Sequence, residues 1–302
     1  MDDLNFEFSE DALQIPDLRA DEGVVDAAED SAPDITNASP TEVAKDAGKP
    51  PSLCVAFRGV SGGVGVTSLA ISTAHIFAQA KRGDVCLIDL DFDLGMCAHY
   101  LDLGMNPAIS DFQTDPVRVD QNYVRAMLAH HEAGFAVLGS PGAMGGNEQV
   151  NPQTVLQVLD VLADMFSVII MDVPRLTRPW TEAALLAADR VCLLTELNIP
   201  ALHVTRKRLD DFTAIGVEKT DVVLSKYERR SFRASLRQAD AERAIGQSVT
   251  AMIASDAHVS SEAMNCGVPA TLAGSDSRLS KDITALARAL SPHFAERRRR
   301  KR

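Results

Sequence analysis

From Ser52 onward the sequence alternates short apolar runs with longer stretches of helical character, and this alternation restricts the fold more than any other feature. The runs are Leu53–Phe57, Val85–Ile88, Phe135–Leu138, Val168–Met171, Val191–Leu194, Val222–Leu224 and Val249–Ile253. Each is continuously apolar rather than alternating polar and apolar. Strands of that kind are buried on both faces, which predicts a parallel sheet covered by helices. Strand–helix alternation over some 240 residues predicts a single α/β domain with a doubly wound, mostly parallel sheet. Ser280 to Leu290 closes it as an amphipathic helix, with Ile283, Leu286 and Leu290 at helical spacing.

The ends have a different composition. The formal charge is −12, but residues 1–50 hold 14 acidic and 3 basic side chains, so the rest of the chain is close to neutral. Residues 1–50 have too few large apolar side chains to offset the entropy of ordering and are expected to be a disordered acidic tail. Within it, Leu4, Phe6, Phe8, Leu13 and Ile15 leave open a short partner-binding peptide. The division expected is 1–50 acidic tail, 51–292 globular domain and 293–302 basic tail. The run Arg297 to Arg302 lacks the interspersed bulky apolar residues of a membrane-inserting helix. Contact with nucleic acid or an anionic surface stays open for it, as does a plain solvated tail.

Cys54, Cys86, Cys97, Cys192 and Cys266 show no C-x-x-C pair and no zinc spacing. Cys54, Cys86 and Cys192 sit in apolar runs, where a thiol acts as a small buried hydrophobe. With no apolar run near the roughly 20 residues of a membrane helix and no signal-peptide layout, a cytoplasmic protein is expected. His130 and His131 read as a polar helix end, and the histidines form no metal triad.

The chemistry concentrates after the first apolar run, in Arg58-Gly59-Val60-Ser61-Gly62-Gly63-Val64-Gly65-Val66-Thr67-Ser68. A strand, a glycine-rich turn and a helix start make an anion site, because glycines let successive N–H groups converge on phosphate oxygens. Ser61, Gly62, Gly63, Val64, Gly65, Val66, Thr67 and Ser68 are therefore the candidate phosphate cradle, with the Thr67 hydroxyl placed as a magnesium ligand. The alternative is a tight turn that serves strand–helix packing alone. A strict P-loop search fails here, since Val66 occupies the lysine position and Val60 the first glycine.

Four further segments set this loop in a pattern. They are Val85-Cys86-Leu87-Ile88-Asp89-Leu90-Asp91, Val168 to Arg175 with Asp172 closing the run, Ala188 to Glu196, and Glu262 to Pro269. The loop and these four segments, in this order, resemble the deviant Walker A (KGGVGKT), hhhhDxD, Walker B, ADxVhhVTxP and late Gly-x-Pro segments of the MinD/ParA superfamily. The resemblance spans about residues 52–291 and implies a P-loop fold binding ATP or ADP with Mg²⁺. It implies that Asp91 positions the attacking water and that Asp89 lies near the metal and a sandwich-dimer interface. It also makes Thr67 and Asp172 the metal-side residues, Asp172 through a metal-bound water, and a homodimer the expected assembly.

Within that superfamily the sequence is most similar to the CpaE/TadZ proteins of the Tad (Flp) pilus, which often carry GGVGATT and a DhPR Walker B. Here these read Gly62-Gly63-Val64-Gly65-Val66-Thr67 and Asp172-Val173-Pro174-Arg175. The chain departs from them at Ser61, where many keep a basic residue, and in showing only the acidic tail where a receiver-like domain commonly stands. Ser225-Lys226-Tyr227 occupies the place where such families often carry an adenine-reading asparagine.

The implied function is a localisation or assembly factor for a Tad-type pilus machine that binds nucleotide and hydrolyses it weakly. Its partners would be pilus or secretion proteins that recruit it to a cell pole or the inner face of the membrane. Two alternatives stand beside it: an active ATPase positioning DNA, flagella or division proteins, and a nucleotide-free scaffold. Arg58, three residues before Ser61, and Arg175, following the Walker B-like segment, are the cations that could swing toward phosphate in place of the missing lysines, although solvated or salt-bridged arginines are the commoner case.

Overall fold

The computed structural model describes residues 52–104, 119–140, 142, 150–228 and 236–291. The expected acidic tail 1–50, the run Arg297 to Arg302, and Arg229 and Arg230 lie outside the described residues.

The expected alternation is present. Strand β1 (Leu53–Gly59) leads to helix α1 (Val66–Ala80), then β2 (Val85–Asp89), α2 (Cys97–Tyr100), α3 (Gln121–Met127), β3 (Ala129–His131) and β4 (Phe135–Leu138). Next come α4 (Pro152–Met165), β5 (Val168–Val173), α5 (Pro179–Leu186), β6 (Arg190–Thr195) and α6 (Ile199–Ile215). The chain continues through β7 (Thr220–Tyr227), α7 (Gln238–Ile245), β8 (Val249–Ala254), α8 (Ala257–Asn265), α9 (Ala270–Ala273) and α10 (Arg278–Leu290). The eight strands form one sheet in the order β3-β4-β2-β5-β1-β6-β7-β8. All pairings are parallel except β3 with β4.

That antiparallel edge corrects one expectation. His130 and His131 do not end a helix; they belong to β3, and His131 stacks on Phe135 at 5.4 Å. A three-residue strand has too little length to show a period of two, so the sequence carried no signal for it.

The period of two within each strand sorts side chains into two cores. Cys54, Ala56, Ile88, Ile169 and Met171 pack with α3 to α7 on one face. Val55, Phe57, Leu87, Ile170 and Leu194 pack with α1, α8, α9 and α10 on the other. Helices cap where the sequence allows: the Asn198 side chain accepts from the Ala201 N–H to start α6, and Ser277 accepts from Ser280 to start α10. Asp189 accepts from the Cys54 N–H at 2.7 Å, fixing the start of β1. Arg190 clasps Asp221 through Nε and Nη2 at 2.8 and 2.6 Å, and Thr250 donates to the same carboxylate. Cys54, Cys86 and Cys192 are buried free thiols, as expected. Among the described residues no helix is long and apolar enough to cross a membrane.

β1 lies between β5 and β6. The chain leaves it toward β2 on one side and returns past it from β5 to β6 on the other. Such a reversal opens a crevice at the carboxyl ends of the strands, where open α/β sheets hold their ligands.

Candidate functional site

The loop after β1 occupies that crevice. Gly63 and Gly65 take φ of 73° and 89°, a left-handed backbone that side chains with a β-carbon rarely adopt. Gly65 is the N-cap of α1, and no side chain caps the helix start, so its first N–H groups are left for a ligand. Gly62 and Gly63 are exposed, Val64 is buried, and Thr67 and Ser68 lie in the first helical turn. All eight residues from Ser61 to Ser68 line one cleft of about 600 Å³.

The aspartates reach the same cleft by strand parity. Asp89 ends β2 and Asp172 stands near the end of β5, directly opposite each other in the parallel register. Each follows by two a residue of the α1 face (Leu87 and Ile170), so both side chains point to that face. They are 1% and 7% exposed. Asp89 accepts from the Asp91 N–H at 3.0 Å and the Cys97 N–H at 2.9 Å. Asp172 accepts from the Cys97 thiol at 3.5 Å and from the Thr67 hydroxyl. Burial pushes the Asp89 carboxyl well up, and the charge of Asp172 pushes it further. Burial likewise raises Asp172, against the pull of Thr67 and Cys97.

Two buried carboxylates facing each other are costly unless a cation or donors meet them. Asp89, Cys97 and Asp172 offer ligating atoms within 4.8 Å of one another. Thr67 adds a hydroxyl from the first turn of α1, so the donor set fits a divalent cation at the mouth of the glycine-rich loop.

Asp91 also lines the cleft, half-buried. One of its oxygens accepts from the Asp93 and Leu94 N–H groups at 3.2 and 3.0 Å, closing the turn after β2. It is therefore both a turn residue and a carboxylate at the cleft. The turn packs closely. A β-carbon on Gly95 would lie 2.6 Å from Ser140 Cβ, 2.7 Å from the Asp91 carbonyl and 2.9 Å from Asp89 Oδ2.

The two candidate cations separate. Arg58 is 2% exposed and points away from the loop, into the opposite face, 5.8 Å from the Phe212 ring. Arg175 is exposed and lines the cleft. Sequence reasoning missed Cys97, which has no motif, and Gly95, whose role is a close approach across the fold. It also placed Ser225 only as a base-side residue. Ser225 in fact donates to the Val64 carbonyl, and Lys226 follows it at φ 53°. Ile253 to Ala257, Ser260, Met264 and Ile283 complete the far wall of the cleft.

No protein-family profile matches the chain. It is 27% identical over 235 residues to the septum site-determining protein MinD of Thermotoga maritima, covering 76% of this chain and 84% of that one. Among solved structures it is similar to a ParA family ATPase from Chlorobium tepidum, with a TM-score of 0.71 and 19% identity over 78% of this chain and 98% of that one. It is similar to the Pyrococcus horikoshii MinD complexed with Mg-ADP, with a TM-score of 0.69 and 17% identity over 80% of this chain and 96% of that one. A third is the Cyanothece McdA(D38A)-ATP complex, at 0.63 and 14% over 80% and 97%. The chain has the α/β fold of the MinD/ParA P-loop NTPases.

Proposed function

We propose that residues 51–292 form a MinD/ParA-type nucleotide-binding domain that holds ATP or ADP with Mg²⁺ and hydrolyses ATP slowly. The observation that carries this reading is the convergence of the uncapped start of α1, the Ser61–Ser68 loop and the Asp89–Asp172 pair on one cleft. Backbone N–H groups of the loop and helix start would bind the phosphates. Thr67 and Asp172 would hold magnesium, Asp172 through a water, with Asp89 close by. Bound there, the ion would neutralise phosphate charge and orient the oxygens. Asp91, at the rim, would position the attacking water.

Slow turnover follows from the side chains at two positions. Val66 offers a backbone N–H and no charge, and Ser61 a hydroxyl. Losing one preorganised donor to a transition state typically costs about 10²–10³ in rate. A charge-assisted hydrogen bond in the ground state is worth about 1.5–3 kcal/mol, so affinity survives better than turnover.

In the cell this reading makes the protein a cytoplasmic localisation or assembly factor for a Tad/Flp-type pilus, acting as a homodimer with pilus or secretion proteins as partners. The GGVG-V-T loop and the Asp172-Val173-Pro174-Arg175 segment support that branch. Calorimetry with ADP and ATP in magnesium, beside a steady-state phosphate-release assay, tests the biochemical part. Micromolar binding with turnover far below that of a lysine-containing relative is expected. Turnover equal to such a relative would favour an active positioning ATPase, and no binding would favour a scaffold.

A further inference from the structure

A bound polyphosphate carries charge that Ser61 and Val66 leave unmet. Two arginines lie near the loop, and they project to different sides, Arg58 from β1 and Arg175 from the connection after β5. Arg58 follows Ala56 by two on β1 and so projects among α4 to α7. Its Nη2 donates to the Arg175 carbonyl at 2.8 Å, the Leu176 carbonyl at 3.2 Å and the Thr177 hydroxyl at 3.2 Å. A buried guanidinium thus ties three consecutive residues of the β5–α5 connection to the central strand.

Arg175 goes the other way. Its backbone is held from below by Arg58, while its exposed side chain reaches over the loop. Nη2 and Cζ lie 3.5 and 3.8 Å from the position of a β-carbon on Gly62, the residue after Ser61. Among the described residues no carboxylate pairs with it. A β-carbon at Gly62 would sit at ordinary contact distance from the guanidinium, which places that cation directly over the cradle. An arginine fork suits phosphate oxygens, with up to five donors in a plane.

We infer that Arg175 is the phosphate-binding cation of this site, supplying from the Walker B side the charge that the loop itself has lost, and that Arg58 is its positioning residue. The ligand class is a nucleoside di- or triphosphate, and the inference rests on the nucleotide-binding reading above.

The test titrates adenosine, AMP, ADP and ATP, with magnesium, into wild-type protein and into Arg175→Ala and Arg175→Lys variants. Arg175→Ala is expected to lose about 10- to 100-fold in affinity for ADP and ATP, the range of one charge-assisted hydrogen bond, while adenosine binding stays unchanged. Arg175→Lys should recover part of the loss. Arg58→Lys should weaken ADP binding in the wild-type background and cost nothing further in the Arg175→Ala background, a coupling that general destabilisation would not produce. Unchanged ADP and ATP affinity in Arg175→Ala overturns the assignment and leaves the nucleotide reading standing. Equal Arg58→Lys losses in both backgrounds overturn the positioning role. Wild-type protein that binds no nucleotide overturns the functional reading and this inference with it.

Discussion

The Ser225 hydroxyl, near the end of β7, donates to the Val64 carbonyl in the glycine-rich loop after β1 at 2.5 Å, joining positions 161 residues apart. Ser225 is 8% exposed and Val64 1%, so the bond is made out of water. Ser225→Ala leaves the Val64 carbonyl without that donor, and an unsatisfied buried acceptor costs about 1–3 kcal/mol. The variant is expected to unfold at lower denaturant concentration and to bind ADP more weakly, because the loop has lost its brace. Calorimetry and a urea titration measure the two effects. Unchanged ADP affinity would show that the loop holds its shape without β7.

Gly95 leaves no room for a methyl group. Its neighbours at 2.6–2.9 Å include the Asp91 carbonyl and an oxygen of Asp89, so Gly95→Ala must push the turn after β2 outward. Overpacking of this kind costs about 1–3 kcal/mol. Magnesium-dependent nucleotide binding should weaken more than magnesium-free binding, since the displaced groups are the carboxylates. Titrations with magnesium and with EDTA separate the two; equal losses would place the damage elsewhere.

Restoring the lysines tests what remains of the catalytic arrangement. A Ser61→Lys, Val66→Lys double variant is expected to release phosphate from ATP about 10²-fold or more faster than the parent, the scale of a regained transition-state donor. Acceleration requires Asp91 to be able to hold a water, although one of its oxygens also closes its own turn. No acceleration would show that this turn bond, and not the missing lysines alone, limits hydrolysis.

His75 predicts an acid-side loss of stability. It lies 4% exposed on α1, with Nδ1 2.8 Å from the Thr271 hydroxyl and Nε2 3.4 Å from the Gln79 amide nitrogen. Burial, and to a lesser degree His131, lowers its pKa below the ordinary value of 6.5. The unfolded chain therefore takes up the proton first. The stabilisation is fully present above pH 6.5 and is lost as pH falls from there through the lower folded value. Urea midpoints at pH 8 and pH 5.5 should drop further in the parent than in His75→Gln. Equal drops would exclude His75 as the source.

The doubly wound sheet, the glycine-rich turn between β1 and α1 and the strand-end aspartates were legible in the sequence because each rests on a local pattern. Continuous apolar runs mark buried strands, glycines mark a turn with positive φ, and a carboxylate after an apolar run marks a strand end at a cleft. Tertiary structure decided everything set by pairing across the chain. It put Asp89 opposite Asp172, because two strands 83 residues apart share one parallel register. It brought Cys97 to both of them and turned Ser225 toward the loop. It also sent Arg58 into the core beside Phe212 and left Arg175 exposed at the cleft, although both had stood as candidates to replace the missing lysines. The face a strand side chain takes follows from register and from packing on α6, and neither is written within a few residues of the arginine itself.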